Sequence, residues 1–91
     1  MATKSVHVII TGRVQGVWFR GWADRECLRL GLSGWIANLT DGRVEAVFCG
    51  VEEDVDQMLD LCWHGPGCAQ VDDVVISPTQ ETHADGFRVR R

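Results

Sequence analysis

Residues 12–20 read Gly12-Arg13-Val14-Gln15-Gly16-Val17-Trp18-Phe19-Arg20. A β-branched run, Val6-His7-Val8-Ile9-Ile10-Thr11, stands before them, and residues with helical period follow. A strand therefore runs into a glycine-bearing loop, and the loop into a helix N-terminus. Amide hydrogens at such a junction are unpaired, and the helix dipole adds partial positive charge there. Gly16 brings no Cβ between backbone and ligand. Arg20 adds a planar fork suited to two oxygens of a phosphate or carboxylate. The stretch from Gln15 through Gly16, Val17, Trp18 and Phe19 to Arg20 is the candidate cradle for a small anion. Its glycine spacing is not that of a dinucleotide fingerprint, and no Gly-Lys-Ser/Thr follows as in a Walker A loop.

A second segment reads Gly31-Leu32-Ser33-Gly34-Trp35-Ile36-Ala37-Asn38-Leu39-Thr40-Asp41-Gly42-Arg43-Val44-Glu45. Together the two segments resemble the acylphosphatase family, and the tail with Gly65-Pro66 and Ala69-x-Val71 fits as well. The resemblance runs from about Val6 to Val89. It implies that Arg20 binds the substrate phosphate and that Asn38 holds the attacking water. By itself, Asn38 reads equally well as a residue steadying the hairpin approach. Two departures stand out. Trp18 occupies a position where the family usually has glycine or a smaller aromatic, and Gly21-Trp22 is an unusual pair after the arginine. They bear on rate and substrate range rather than on reaction class.

The implied chemistry suits what the chain has and lacks. An acyl phosphate is already activated, and its hydrolysis passes through a loose transition state that needs charge neutralisation and an aligned water rather than a strong base. Fixed donors around the developing charge supply the first need and a side-chain amide the second. No Ser-His-Asp or Cys-His pair stands out. His7 falls mid-strand and His64 and His83 border loops, so all three are expected to be structural or solvated. Cys62-x-His64-x-x-x-Cys68 matches no common zinc spacing. Neither a metal nor a cofactor is expected. Inorganic phosphate should act as product and inhibitor.

The elements that must hold these residues follow from periodicity. Val6–Thr11 reads as a strand. Phe19, Ala23, Cys27 and Leu30 form one face of a helix that Gly31 ends. Gly34–Leu39 and Val44–Cys49 are strands joined by the Asp41-Gly42 hairpin signal. Glu52, Glu53 and Asp54 load the first turn of a second helix, whose stripe is Val51, Val55, Met58, Leu59 and Cys62. Gly65-Pro66-Gly67 stops it. Val71–Ser77 is a fourth strand, residues 78–86 a polar loop, and Phe87–Arg90 a short last strand. The order βαββαβ plus a short strand is an α+β, ferredoxin-like split βαβ sandwich, with two helices on one face of a mixed sheet. The first and third strands should lie side by side at its centre. Where the last strand pairs is left open.

Ninety-one residues suffice for one core, so residues 1–91 read as a single domain. The net charge of −4 argues against a nucleic-acid binder. An RNA-reading sheet is further disfavoured because Arg43-Val44-Glu45-Ala46-Val47-Phe48 lacks paired stacking aromatics. Arg88, Arg90 and Arg91 read as solubilising charges, and Trp18 and Trp22 as core or rim aromatics. No apolar run approaches the ~18 residues of a membrane span. Met1 to Ser5 shows no signal-peptide core, and the four cysteines would stay reduced in the cytoplasm. A cytoplasmic monomer without nucleic-acid or membrane partners is expected. The alternative to an enzyme is a module that binds phosphate or acyl phosphate without turning it over.

Overall fold

The computed structural model describes residues 2–83 and 86–90. Its elements run in the order β1 (Thr3–Arg13), α1 (Phe19–Leu30), β2 (Ser33–Asn38), β3 (Val44–Val51), α2 (Glu52–Cys62), β4 (Gln70–Pro78) and β5 (Phe87–Val89). The five strands form one sheet in the order β4-β1-β3-β2-β5. Every pairing is antiparallel except that of β2 with β5, which is parallel. The sheet is therefore mixed, and β1 and β3 are neighbours at its centre, as the crossover argument requires.

One face of the sheet carries both helices. Val6, Val8 and Ile10 of β1, Ile36 of β2 and Val44, Ala46 and Phe48 of β3 are all buried there. They meet Phe19, Ala23 and Cys27 of α1 and Val55, Met58, Leu59 and Cys62 of α2. Alternation along the strands sends Trp35, Val47 and Cys49 to the opposite face, where they form a small second cluster. The chain after β4 crosses this outer face. The Trp35 indole donates to the Glu81 carboxylate at 2.8 Å, Ser33 Oγ donates to the His83 carbonyl at 2.5 Å, and the Arg90 guanidinium lies 4.3 Å from the Trp35 ring centroid.

The first strand is longer than its β-branched centre. Thr3, Lys4 and Ser5 extend it because Val51, Gly50 and Cys49 of β3 offer partners, which polar composition does not reveal. At its other end the register with β4 shifts between Thr11 and Gly12. A Cβ on Gly12 would run into the backbone of Gln70 and Asp72 of β4. Such a bulge bends a strand and raises its twist, and here it aims the chain into the loop before α1. Strand β2 stops at Asn38, one residue short of the expected end. Leu39 instead opens the turn, its amide donating to the Arg43 carbonyl at 2.8 Å.

Candidate active site

Between the end of β1 and the start of α1, the backbone turns left-handed twice, at Gly16 (φ 73°) and at Trp18 (φ 66°). Alternating handedness of this kind points successive amides into one concavity, which favours an anion. The amides of Gly16, Val17, Trp18 and Phe19 have no acceptor among the described residues. Glycine takes such a conformation freely. Trp18 does not, and it is the one non-glycine residue with positive φ among those described. Helix α1 begins directly after it with no side-chain cap, so the first-turn N–H groups also remain available.

The loop is fastened to the β2–β3 hairpin. Gln15 Nε2 donates to the carbonyls of Leu39 at 2.7 Å and of Arg43 at 2.9 Å. The side chain is thus a latch holding the loop against the turn that follows Asn38. Asn38 itself closes β2, opposite Val44. It shares the helix-covered face with Ile36, two residues earlier. That register brings it to the loop. Its Oδ1 is buried and has no hydrogen-bond partner among the described residues.

A cavity of about 150 Å³ is lined by Val14, Gln15, Gly16, Trp18, Phe19, Arg20, Gly21 and Asn38. It opens beside a wider one of about 630 Å³, walled by Trp18, Arg20, Gly21, Asn38 and Val89. Arg20 lines both. Its Nη1 donates to the carbonyl of Arg90 at 2.7 Å. A guanidinium has five N–H donors, so this bond orients the fork while leaving most of it for a ligand.

The fold therefore brings Asn38 to Gln15, Gly16, Trp18, Phe19 and Arg20 around one space. Val17 is the exception. Its side chain packs against the core and not against the cavity. Phe19 is buried and makes an edge-to-face contact with Trp22 at 5.2 Å. Gly21, Val89 and the Arg90 carbonyl belong to the site but were not among the expected residues. The last two come from the neighbourhood of β5, whose parallel pairing with β2 no local pattern announces. Of the terminal arginines, Arg88 and Arg90 are exposed, as solubilising charges should be, although Arg90 also stacks on Trp35; Arg91 lies outside the described residues.

The remaining histidines and cysteines stand away from this chemistry. His7 pairs with Glu45 at 2.7 Å and His83 with Glu81 at 2.6 Å, and His64 is exposed. Cys62 is buried in the core while Cys68 is exposed. Among the described residues no group of three or more His, Cys, Asp or Glu is placed to hold a metal ion.

Known proteins share this sequence and fold. The acylphosphatase family profile matches residues 6–89. A curated acylphosphatase of Rhodospirillum rubrum is 46% identical over 84 residues, covering 92% of each chain. One from Haloarcula marismortui is 43% identical over 90 residues, covering 99% of each. The solved acylphosphatase structure from Coxiella burnetii superposes with a TM-score of 0.92 at 35% identity, covering 97% of this chain and 93% of that one. With a loop of free amides, an arginine and a partnerless asparagine oxygen facing one cavity, and with relatives matching along nearly its whole length, this chain belongs to the acylphosphatase family and is an acylphosphatase.

Proposed function

We propose that the phosphoryl group of a small acyl phosphate sits in the loop of residues 15–20, clamped by Arg20, while Asn38 holds the water that attacks it. Asn38 carries this reading. A buried acceptor without a partner costs about 1–3 kcal/mol, and such a group persists where it has work to do. Here it lies on the wall of the cavity that also receives the loop amides and Arg20.

The chemistry follows from the placement. The amides of Gly16 to Phe19 and the Arg20 guanidinium are fixed donors around the phosphoryl oxygens, where charge gathers in the transition state. Asn38 Oδ1 accepts one hydrogen of a water and leaves a lone pair of that water free to face phosphorus. The water oxygen–phosphorus bond forms as the bond from phosphorus to the acyl oxygen breaks. A substrate phosphate oxygen takes the proton, as the family resemblance implies. Carboxylate and inorganic phosphate leave. No side chain need be a strong base, since the transition state is loose.

The reading extends to surroundings. The net charge of −4 suits a protein that binds one anion at a local positive pocket and leaves nucleic acid alone. Among the described residues no helix is long and apolar enough to cross a membrane. Four cysteines without a disulfide fit a reducing, cytoplasmic setting, and we take the protein to act there as a monomer. The test is turnover of acetyl phosphate with excess chelator present, with inorganic phosphate added as inhibitor. Turnover that persists and is competitively inhibited is expected. Loss of activity on chelation, restored by added magnesium or zinc, would overturn the mechanism.

A further inference from the structure

The phosphate loop and Asn38 hang on strands that do not touch. The loop leaves β1 and Asn38 ends β2, and β3 lies between those strands in the sheet. Val44 of β3 faces Ile10 on one side and Asn38 on the other. Beyond that row, among the described residues, no backbone hydrogen bond joins residues 14–18 to β2 or to the turn after it. Side chains make the connection instead. Gln15 Nε2 donates at 2.7 Å to the carbonyl of Leu39, the residue after Asn38, and at 2.9 Å to that of Arg43. At the other end of the loop, Arg20 Nη1 donates to the Arg90 carbonyl at 2.7 Å, and the Arg90 amide donates to the Ile36 carbonyl at 2.7 Å. The loop is thus tied to β2 on either side of Asn38.

The tie made by Gln15 is matched to its partners. A side-chain amide nitrogen carries two hydrogens, and each meets one carbonyl. Those carbonyls already close the turn. The Arg43 carbonyl accepts the Leu39 amide at 2.8 Å, and the Leu39 carbonyl accepts the Gly42 amide at 3.3 Å. A carbonyl oxygen has two lone pairs, so Gln15 takes the second of each and completes the turn without competing with it. Gln15 also walls the narrower cavity together with Asn38.

We infer that Gln15 is a positioning residue for the reaction: by gripping the turn beside Asn38, it fixes where the attacking water stands relative to the phosphorus held by the loop. The inference rests on the roles proposed above for the loop and for Asn38. Binding phosphate needs only the loop and Arg20. In-line attack needs the loop and Asn38 at a set separation as well. A misplacement of about 1 Å in such a pair costs up to about 10²-fold in rate. Releasing the Gln15 tie should therefore lower kcat and spare phosphate affinity.

The experiment measures kcat on acetyl phosphate and the inhibition constant for inorganic phosphate in the wild type, Gln15→Met, Asn38→Ala and the double variant Gln15→Met/Asn38→Ala. Methionine keeps the unbranched reach of glutamine and removes both donors. Gln15→Met should lower kcat about tenfold, within the range such misplacement allows, and shift the phosphate inhibition constant by less than about twofold. In the Asn38→Ala background the same substitution should change kcat by less than about twofold, because no held water is left to misplace. A residue that only stabilised the fold would lower Tm without that coupling. Wild-type kcat in Gln15→Met overturns the inference. So does a loss that persists undiminished in the Asn38→Ala background, and so does a loss carried by phosphate affinity. Wild-type kcat in Asn38→Ala defeats the underlying reading of Asn38, and the inference falls with it. Should Gln15→Met not fold, Gln15→Asn decides by the same measurements, since it keeps the amide but is one methylene shorter and cannot grip both carbonyls.

Discussion

Replacing Asn38 by alanine should make the protein more stable and far less active. The Oδ1 of Asn38 is buried without a partner among the described residues. Left dry, such an acceptor costs about 1–3 kcal/mol; with one water held against it, the cost is the ordering of that water, about 0–2 kcal/mol. Removing the amide also removes a little packing at the end of β2. A net gain of about 1 kcal/mol is expected. A chain of this length unfolds with an entropy that makes this worth about 5 °C in Tm. Activity should move the other way. Losing one well-placed polar group costs on the order of 10²–10³ in rate. Asn38 lies outside the phosphate loop, so the inhibition constant for inorganic phosphate should change by less than about twofold. The assay is kcat on an acyl phosphate, the phosphate inhibition constant and a melting curve on one preparation. A variant that melts lower, binds phosphate weakly and keeps its kcat would make Asn38 a structural residue and refute the reasoning. Asn38→Asp should recover little, since it adds negative charge beside an anionic substrate.

Other perturbations separate the parts. Arg20→Ala and Arg20→Lys should both weaken phosphate inhibition by at least about tenfold and lower kcat, because lysine lacks the planar fork; a folded Arg20→Ala with wild-type turnover would show that the clamp lies elsewhere. The hydrogen bond from Trp35 and then the neighbouring His83 hold the Glu81 carboxyl below its ordinary value of 4.5. A depressed carboxylate adds stability above that value and loses it as pH falls through the folded pKa. The wild type should therefore melt above Glu81→Gln at neutral pH, and the gap should close as pH drops below 4.5; a gap that stays constant with pH would deny the carboxylate that role. Burial pushes the Cys62 thiol up to about 12 and raises the Cys27 thiol as well, whereas Cys68 is exposed. A thiol reagent at neutral pH should label native protein once, at Cys68, and Cys68→Ser should abolish that rapid labelling.

What could be read from the sequence was whatever local chemistry decides. Gly31 caps α1 in the left-handed conformation, with its backbone bonded to the carbonyls of Cys27 and Leu28. Asp41-Gly42 turns the hairpin, and the three acids occupy the first turn of α2. Strand alternation sets Trp35 and Ala37 on one face, and the structure turns that face away from the helices. Pairings across long stretches were not legible. The parallel match of β5 to β2 depends on the path of the intervening loop, so Val89 and the Arg90 carbonyl could not be assigned to the site. The partners of the Gln15 side chain are carbonyls 24 and 28 residues away, which no local pattern announces. The left-handed backbone of Trp18 carries no signature either, as tryptophan has no preference for it.

The bond from Arg20 to the Arg90 carbonyl joins residues 70 apart in the chain. Strand β1 likewise finds both its neighbours, β3 and β4, only after long detours. Chains dominated by such distant pairings fold slowly, because the loop must close before the contact rewards it. On the ribosome the consequence is sharper. The loop of residues 12–20 emerges early, meets its hairpin partners once residues 39–43 follow, and cannot bond its arginine to the Arg90 carbonyl until the residues around position 90 have left the exit tunnel. For the site proposed above, catalytic competence would thus be among the last properties to be acquired, together with completion of the sheet.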